Sequence, residues 1–133
     1  MSGPERIVVV GSGPAGLEAA RTYRAAGGRG AVTLVTADPH LPYQRPPLTK
    51  DYLRTGSGRD ELFLEPAAWF SDHAVEVRHA SAAALDPDAG HLQLLGGDTL
   101  GFDACVLATG SGARPAAGAR RRPRRRARAP QPR

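Results

Sequence analysis

The chain has 133 residues and a net charge of +5, and its length suits one domain with a real core but not two. No apolar run approaches the roughly 20 residues that a membrane-spanning helix needs, and no secretory leader precedes the first apolar run. We therefore expect a cytoplasmic protein without membrane contact. The single cysteine, Cys105, excludes an internal disulfide and a Cys-x-x-Cys redox pair.

The charged residues divide the chain into two parts. Residues 1–113 carry 9 Lys+Arg and 13 Asp+Glu, whereas residues 114–133 carry 9 Arg and no acidic residue. We expect a mildly acidic folded domain over residues 1–113, followed by a basic, disordered tail of Arg, Pro and Ala over residues 114–133.

The first strong pattern is an apolar run, residues 7–10, that is followed by glycines in the spacing G-x-G-x-x-G. We expect Gly11 to make the tight turn, Gly13 to let the backbone approach a pyrophosphate, and Gly16 to pack the following helix against the strand. Pro14 suits the first helical position, where an N–H is not needed. Because the free N–H groups of a helix N-terminus attract anions, the pattern predicts a dinucleotide site at this turn.

The helix that follows the turn should end at Gly27 and Gly28. After it we expect, in chain order, an apolar strand, an irregular proline-rich segment, a short helix and a short strand, over residues 32–35, 41–47, 65–70 and 75–77. Trp69 and Phe70 in the short helix are interpreted as core anchors.

Beyond residue 80 the pattern changes to short strand candidates, residues 82–85, 91–95 and 99–102, which are separated by the turn signals DPDAG and GGD. This spacing predicts an antiparallel β-meander. A further apolar strand over residues 104–108 ends at TGSG. The predicted fold class is therefore α/β, with a small parallel sheet flanked by helices and an appended antiparallel β-meander.

Three segments, GSGPAGLEAA, PYQRPPLTKDYL and FDACVLATGSGARP, resemble the FAD-binding half of the ferredoxin-reductase-like flavoproteins. This group includes the rubredoxin and putidaredoxin reductases, within the pyridine nucleotide-disulfide oxidoreductase superfamily. The resemblance covers residues 6–115, and its P-Y-x-R-P-P-L-[ST]-K box is more specific than the glycine pattern. It implies a Rossmann-type three-layer FAD-binding domain, with FAD as cofactor, NAD(P)H as hydride donor and an iron-sulfur protein as electron acceptor.

The resemblance also implies which residues contact the cofactor. The residues that would cradle the FAD pyrophosphate are Gly11, Gly13, Pro14, Ala15 and Gly16. In the box, Arg45 and Lys50 would contact FAD, and Pro46 would pack against the isoalloxazine ring. Lys50 would act catalytically as a cation near the flavin N5 edge, where it can stabilise electron-rich reduced flavin.

The remaining implied contacts lie further along the chain. Ala82 falls where a main-chain contact to the adenine is usual, and the A-T-G segment beside the cofactor, with the arginine after it, corresponds to Ala108, Thr109, Gly110 and Arg114. One departure concerns the ribose, whose hydroxyls need an acidic acceptor about 20 residues past the glycines. The usual position corresponds to Ala37, which has no acceptor, so the neighbouring Asp38 is the candidate.

Three functional interpretations stay open from the sequence. The first is the FAD-binding portion of an NAD(P)H-dependent reductase, truncated or frame-shifted at the basic tail and of low or no activity alone. The second is a non-catalytic nucleotide-binding module. The third is nucleic-acid binding through the arginine-rich tail. The four histidines lack metal-ligand spacing, so no metal site is expected, and Cys105 is interpreted as a buried small hydrophobe.

Overall fold

The computed structural model describes residues 3–44 and 62–112. Strands β1 (Arg6–Val10), β2 (Ala31–Thr36), β3 (Val75–His79) and β7 (Ala104–Leu107) form a parallel sheet in the order β3-β2-β1-β7. Strands β4 (Ala82–Asp86), β5 (His91–Leu94) and β6 (Thr99–Gly101) form a separate antiparallel sheet in that order. Helix α1 (Pro14–Ala25) joins β1 to β2, and helix α2 (Ala67–Asp72) precedes β3.

The central strand β1 is buried on both faces because its side chains alternate between two cores. Ile7 and Val9 face the side of the helices, and they pack with Leu17, Ala20 and Phe70. The other face of the same strand contributes to a second core, together with β2 and the antiparallel sheet, formed by Val8, Val10, Val35, Leu92, Leu94 and Phe102. A strand buried in this way needs a continuous apolar run, which is what the sequence has.

The predicted α/β fold class is confirmed, with a parallel sheet, helices and an antiparallel sheet of three strands. The meander is a layer of its own and not only an appendage, since Leu92 and Leu94 of β5 are buried against the second face of the parallel sheet. The described part of the domain therefore has three layers: helices, parallel sheet and antiparallel sheet.

The predicted boundaries needed small corrections. Helix α2 begins at Ala67 instead of residue 65, because Pro66 caps it with an extended backbone, at φ −65° and ψ 155°. Strand β3 continues to His79, two residues beyond the predicted end, since it stays paired with β2 up to Thr36. In the described ranges, no helix has the length and apolar character that crossing a bilayer requires.

One arginine holds together the loops at the end of the molecule opposite the glycine-rich turn. The Arg24 guanidinium donates to the carbonyl oxygens of Gly28 and Gly30, in the loop before β2, at 2.9 and 2.8 Å. It also donates to those of His73 and Ala74, between α2 and β3, at 2.6 and 2.9 Å. Carbonyl groups that no strand pairs are thus satisfied by a single side chain.

At the other end of the molecule, the start of α1 depends on a close backbone approach. A Cβ atom on Gly16 would lie 2.0 Å from the carbonyl oxygen of Gly11. Because the obstacle is backbone and not a flexible side chain, the helix and the turn would have to move apart to admit even a methyl group.

Replacing Gly16 by Ala should destabilise the ligand-free protein by about 1–3 kcal/mol, the usual cost of overpacking. The melting temperature should fall by several degrees in a thermal unfolding experiment followed by circular dichroism. Gly13→Ala is the matched control, because a Cβ atom there meets nothing within 4 Å and its φ of −71° suits any residue. Equal melting temperatures for the two variants would contradict this account of the turn.

Candidate functional site

A cleft of about 550 Å³ opens at the carboxyl ends of the parallel strands. Its walls are residues 10–15 at the end of β1 and in the turn after it, residues 35–38 at the end of β2, residues 80–82 after β3, and residues 108–111 after β7. Ligands of open parallel sheets bind at this edge, where the loops that leave the strands converge. The strand order therefore brings four separate parts of the chain to one place.

The glycine-rich turn is held to its neighbours through backbone atoms. The Gly11 N–H donates to the Val35 carbonyl at 2.8 Å, and the Ala108 N–H donates to the Val10 carbonyl at 2.8 Å. Gly11 has a φ of +111°, and a Cβ atom on it would lie 2.1 Å from the Ala108 carbonyl oxygen. Glycine at position 11 is thus needed for the tight turn and also for the close approach of the segment after β7.

The N-terminus of α1 faces the cleft without a side-chain cap. Gly13 is the N-cap residue, no side chain bonds to the first turn, and that turn contains no acidic residue. Space above Gly13 is open, since a Cβ atom there would meet nothing within 4 Å. The N–H groups of a helix's first turn have no partner within the helix, so they are available to an anion in the cleft.

The structure brings most of the predicted site residues to this cleft. Those that line it are Gly11, Gly13, Pro14, Ala15, Asp38, Ala82, Ala108, Thr109 and Gly110. Gly16 does not line it, because it is buried behind the turn. Arg45, Pro46, Lys50 and Arg114 lie outside the described residues.

Sequence reasoning missed two polar contacts in the β2 wall. The hydroxyls of Ser12 and Thr36 are 2.7 Å apart, and Thr36 is only 4% exposed. The Thr36 hydroxyl also accepts from the Asp38 N–H at 3.1 Å. The available signal was a polar residue at the end of β2, but its partner, Ser12, is 24 residues away and is brought near it by strand pairing.

The carboxylate of Asp38, the candidate ribose acceptor, has partners in its own loop. One oxygen accepts from the His40 N–H at 3.0 Å, and the other accepts from the Tyr43 hydroxyl at 2.9 Å. Asp38 is half-buried at the rim of the cleft, whereas the neighbouring Ala37 is exposed and offers no side-chain acceptor.

Three other features were candidates for a functional role in the described residues. Burial raises the pKa of the half-buried Cys105 thiol, so the thiol stays protonated at neutral pH. Residues 3–44 and 62–112 hold no group of three or more His, Cys, Asp or Glu side chains that could bind a metal ion. A second cleft, of about 510 Å³, lies at the opposite edge beside Tyr23 and residues 27–31. The C-terminal end of α1 is there, and its dipole repels anions.

The cleft has the size and the backbone surface of a cofactor site. Its volume lies within the range of about 300–1,000 Å³ that is common for cofactor sites. It combines an open backbone surface at Gly13 with an uncapped helix N-terminus, and Asp38 is the charged side chain among its described lining. Donors to an anion in this part of the chain are therefore backbone N–H groups and hydroxyls and not cationic side chains.

The chain is similar to a known family of oxidoreductases and to individual reductases. The family model for pyridine nucleotide-disulphide oxidoreductases matches residues 5–123. Rhodocoxin reductase from Rhodococcus erythropolis is 42% identical over 106 residues, which cover 79% of this chain and 25% of that protein. The ferredoxin–NAD(+) reductase subunit of the benzene 1,2-dioxygenase system from Pseudomonas putida is 38% identical over 109 residues, which cover 81% and 26%.

Solved structures agree with the sequence relatives. Putidaredoxin reductase, in its covalent complex with putidaredoxin, matches with a TM-score of 0.80 at 32% identity, over 84% of this chain and 27% of that chain. A ferredoxin reductase from Rhodopseudomonas palustris matches with a TM-score of 0.76 at 35% identity, over 80% and 26%. The predicted resemblance to this group of reductases is confirmed.

The chain spans about a quarter of the length of the curated relatives it matches. The family and its ferredoxin reductases are flavoproteins, which implies a flavin cofactor. Since the family model matches most of the sequence, the chain belongs to the pyridine nucleotide-disulphide oxidoreductase family.

Proposed function

We propose that the cleft binds FAD and that the chain forms the FAD-binding part of an NAD(P)H-dependent reductase. The observation that carries this proposal is the open surface of Gly13 at the uncapped N-terminus of α1. A pyrophosphate fits that position because both the free N–H groups and the helix dipole favour an anion there.

Each wall of the cleft has a role in this proposal. Gly11, Gly13, Pro14 and Ala15 surround the pyrophosphate, and the buried Gly16 keeps the first turn of α1 close to the strand. At the other walls, the main chain at Ala82 contacts the adenine, and residues 108–110 pass beside the cofactor. The contacts of Arg45, Pro46, Lys50 and Arg114 with FAD stay predictions from the resemblance.

When bound, a flavin accepts a hydride and releases single electrons. The residues of the described cleft contribute binding and orientation to that chemistry. The backbone N–H groups of the turn hold the pyrophosphate. The β2 and β7 walls of the cleft fix the direction in which the rest of the cofactor extends from the pyrophosphate. We assign the positively charged contact near the reactive ring to Lys50, as the resemblance implies.

The proposed electron acceptor is a small iron-sulfur protein of the ferredoxin or rubredoxin type. Support comes from the relatives, among them a ferredoxin–NAD(+) reductase subunit and a rubredoxin–NAD(+) reductase from Pseudomonas putida. The solved complex of putidaredoxin reductase with putidaredoxin supports the same class of partner. For this chain, the acceptor and the use of NAD(P)H are part of the proposal.

The chain should bind FAD more tightly than NAD, and Gly13→Val should abolish FAD binding because the branched side chain occupies the space that the pyrophosphate needs. Isothermal titration with each nucleotide measures this preference. Gly3→Val is the matched control, because position 3 also faces open space but lies at the opposite cleft. Equal or stronger binding of NAD, or unchanged FAD binding by the Gly13→Val variant, would contradict the proposal.

We also propose that residues 1–113 form the folded domain and that residues 114–133 form a separate basic tail. The tail favours a second function, non-specific nucleic-acid binding, because its 9 Arg occur without any acidic residue. The whole of this tail lies outside the described residues.

Removing residues 114–133 should leave the melting temperature unchanged and weaken the binding of duplex DNA, since the remaining domain has a net charge of −4. Fluorescence anisotropy at several salt concentrations measures the affinity and its salt dependence. If the shortened chain fails to fold, or binds DNA as tightly as the full chain, this division of the chain is wrong.

A further inference from the structure

Four polar residues, linked through their side chains and through the backbone N–H of Asp38, form a continuous hydrogen-bonded series along the β2 wall of the cleft. The Ser12 and Thr36 hydroxyls are 2.7 Å apart, and the Asp38 N–H donates to the Thr36 hydroxyl at 3.1 Å. The Asp38 carboxylate then accepts from the Tyr43 hydroxyl at 2.9 Å. The series joins the glycine-rich turn to the chain that follows β2, and the proposed contacts with FAD do not account for it.

The far end of this series is attached to a clamp formed by residues 42–44 and 62–64. Tyr43 and Phe63 form an antiparallel bridge, which is flanked by hydrogen bonds from the Gln44 N–H to Leu62 and from the Leu64 N–H to Pro42, at 2.7 and 2.8 Å. The clamp therefore holds residues 42–44 against residues 62–64. Its second segment, residues 62–64, is followed directly by Glu65.

Helix α1 holds the other side of the clamp. The Arg21 guanidinium donates to the Glu65 carboxylate and to the Leu64 carbonyl, the latter at 3.2 Å. The clamp is thus fixed at two points. Arg21 ties residues 64–65 to α1, and Asp38 ties Tyr43 to the end of β2.

We infer that Asp38 is a positioning residue that acts through Tyr43, and that it holds the clamp in a fixed position relative to the glycine-rich turn. This inference rests on the proposed function, and it assigns Asp38 a role other than that of ribose acceptor. Both carboxylate oxygens accept hydrogen bonds within residues 38–43, one from the His40 N–H and one from the Tyr43 hydroxyl. The Asp38 N–H is itself fixed by Thr36, which is 4% exposed.

A positioning role and a ribose-binding role differ in how two mutations combine. If Asp38 acts through Tyr43, removing either partner breaks the same hydrogen bond, so the loss in the double variant is smaller than the sum of the two single losses. If Asp38 binds the ribose directly, the Tyr43 hydroxyl contributes little to FAD affinity. The effects of the two substitutions then add.

The test compares Asp38→Ala, Tyr43→Phe and the double variant by FAD titration and by thermal unfolding without ligand. We expect each single substitution to weaken FAD binding about tenfold, which corresponds to about 1.4 kcal/mol. The double variant should bind FAD no more than about twofold more weakly than the weaker single variant. FAD binding by Tyr43→Phe that equals wild type, together with a large loss in Asp38→Ala, would overturn the inference in favour of ribose binding.

Tyr23→Phe separates positioning from a general loss of stability. The Tyr23 hydroxyl donates to the Pro4 carbonyl at 2.9 Å and accepts from the Gly30 N–H at 2.8 Å, at the opposite cleft. Its removal should lower the melting temperature but leave the FAD dissociation constant unchanged. Loss of FAD affinity in Tyr23→Phe comparable with that in Tyr43→Phe would show that stability alone governs binding, and would overturn the inference.

Variants of Thr36 test the link between Asp38 and the glycine-rich turn. Thr36→Val removes the hydroxyl with little change in shape, and it should weaken FAD binding as Tyr43→Phe does. Thr36→Ser keeps the hydroxyl and should restore binding to within about twofold of wild type. Equal FAD affinity for the two Thr36 variants would contradict a hydrogen-bonded role for this residue.

The proposed function and the role of Asp38 can fail independently, and the two failures give different results. If the wild-type chain does not bind FAD, the proposed function is wrong, and the melting temperatures of the ligand-free variants still test the Asp38–Tyr43 pair. A double variant that melts close to the less stable single variant supports the pair. Strictly additive decreases in melting temperature would overturn it.

Discussion

The site depends on one steric constraint, which is the approach of three backbone segments at the start of α1. A side chain on Gly11 would collide with the Ala108 carbonyl, and a side chain on Gly16 would collide with the Gly11 carbonyl. Only because both positions lack a Cβ atom can the turn after β1 lie between the first turn of α1 and the segment after β7. Gly13 lies in the same turn and faces open space at the cleft, so the proposed anion-binding surface is next to this constraint.

The layers around the parallel sheet explain why the binding groups are concentrated at its edge. Both faces of β1 are covered, by helices on one side and by the antiparallel sheet on the other. Backbone N–H groups within the sheet are engaged in strand pairing, and available donors appear where the strands end. The cleft at the carboxyl ends of β1, β2 and β7 is thus a consequence of the topology, to which the helix dipole adds a preference for anions.

Much of this arrangement could be predicted from local sequence. The apolar run before the glycines predicted a doubly buried strand, and the turn signals around residues 86–90 and 96–98 predicted the meander. The position of the meander as a third layer could not be predicted. Leu92 and Leu94 at alternate positions indicate that one face of this strand is buried, but they do not indicate which part of the molecule covers that face. The contacts from Ser12 to Thr36 and from Asp38 to Tyr43 were missed for a similar reason, since they depend on strand register and on the conformation of a proline-containing loop.

Amide NMR of the ¹⁵N-labelled chain during a titration with FAD tests the central claim most directly. The account predicts that the largest shift changes occur at the cleft and in the first turn of α1, at Gly13, Ala15, Gly16, Ala82 and Thr109. The amides of Gly28, Gly30 and Ala31 at the opposite cleft should stay unchanged. Shift changes concentrated at the opposite cleft, or no change at the glycine-rich turn with saturating FAD, would contradict the assignment of this cleft as the flavin site.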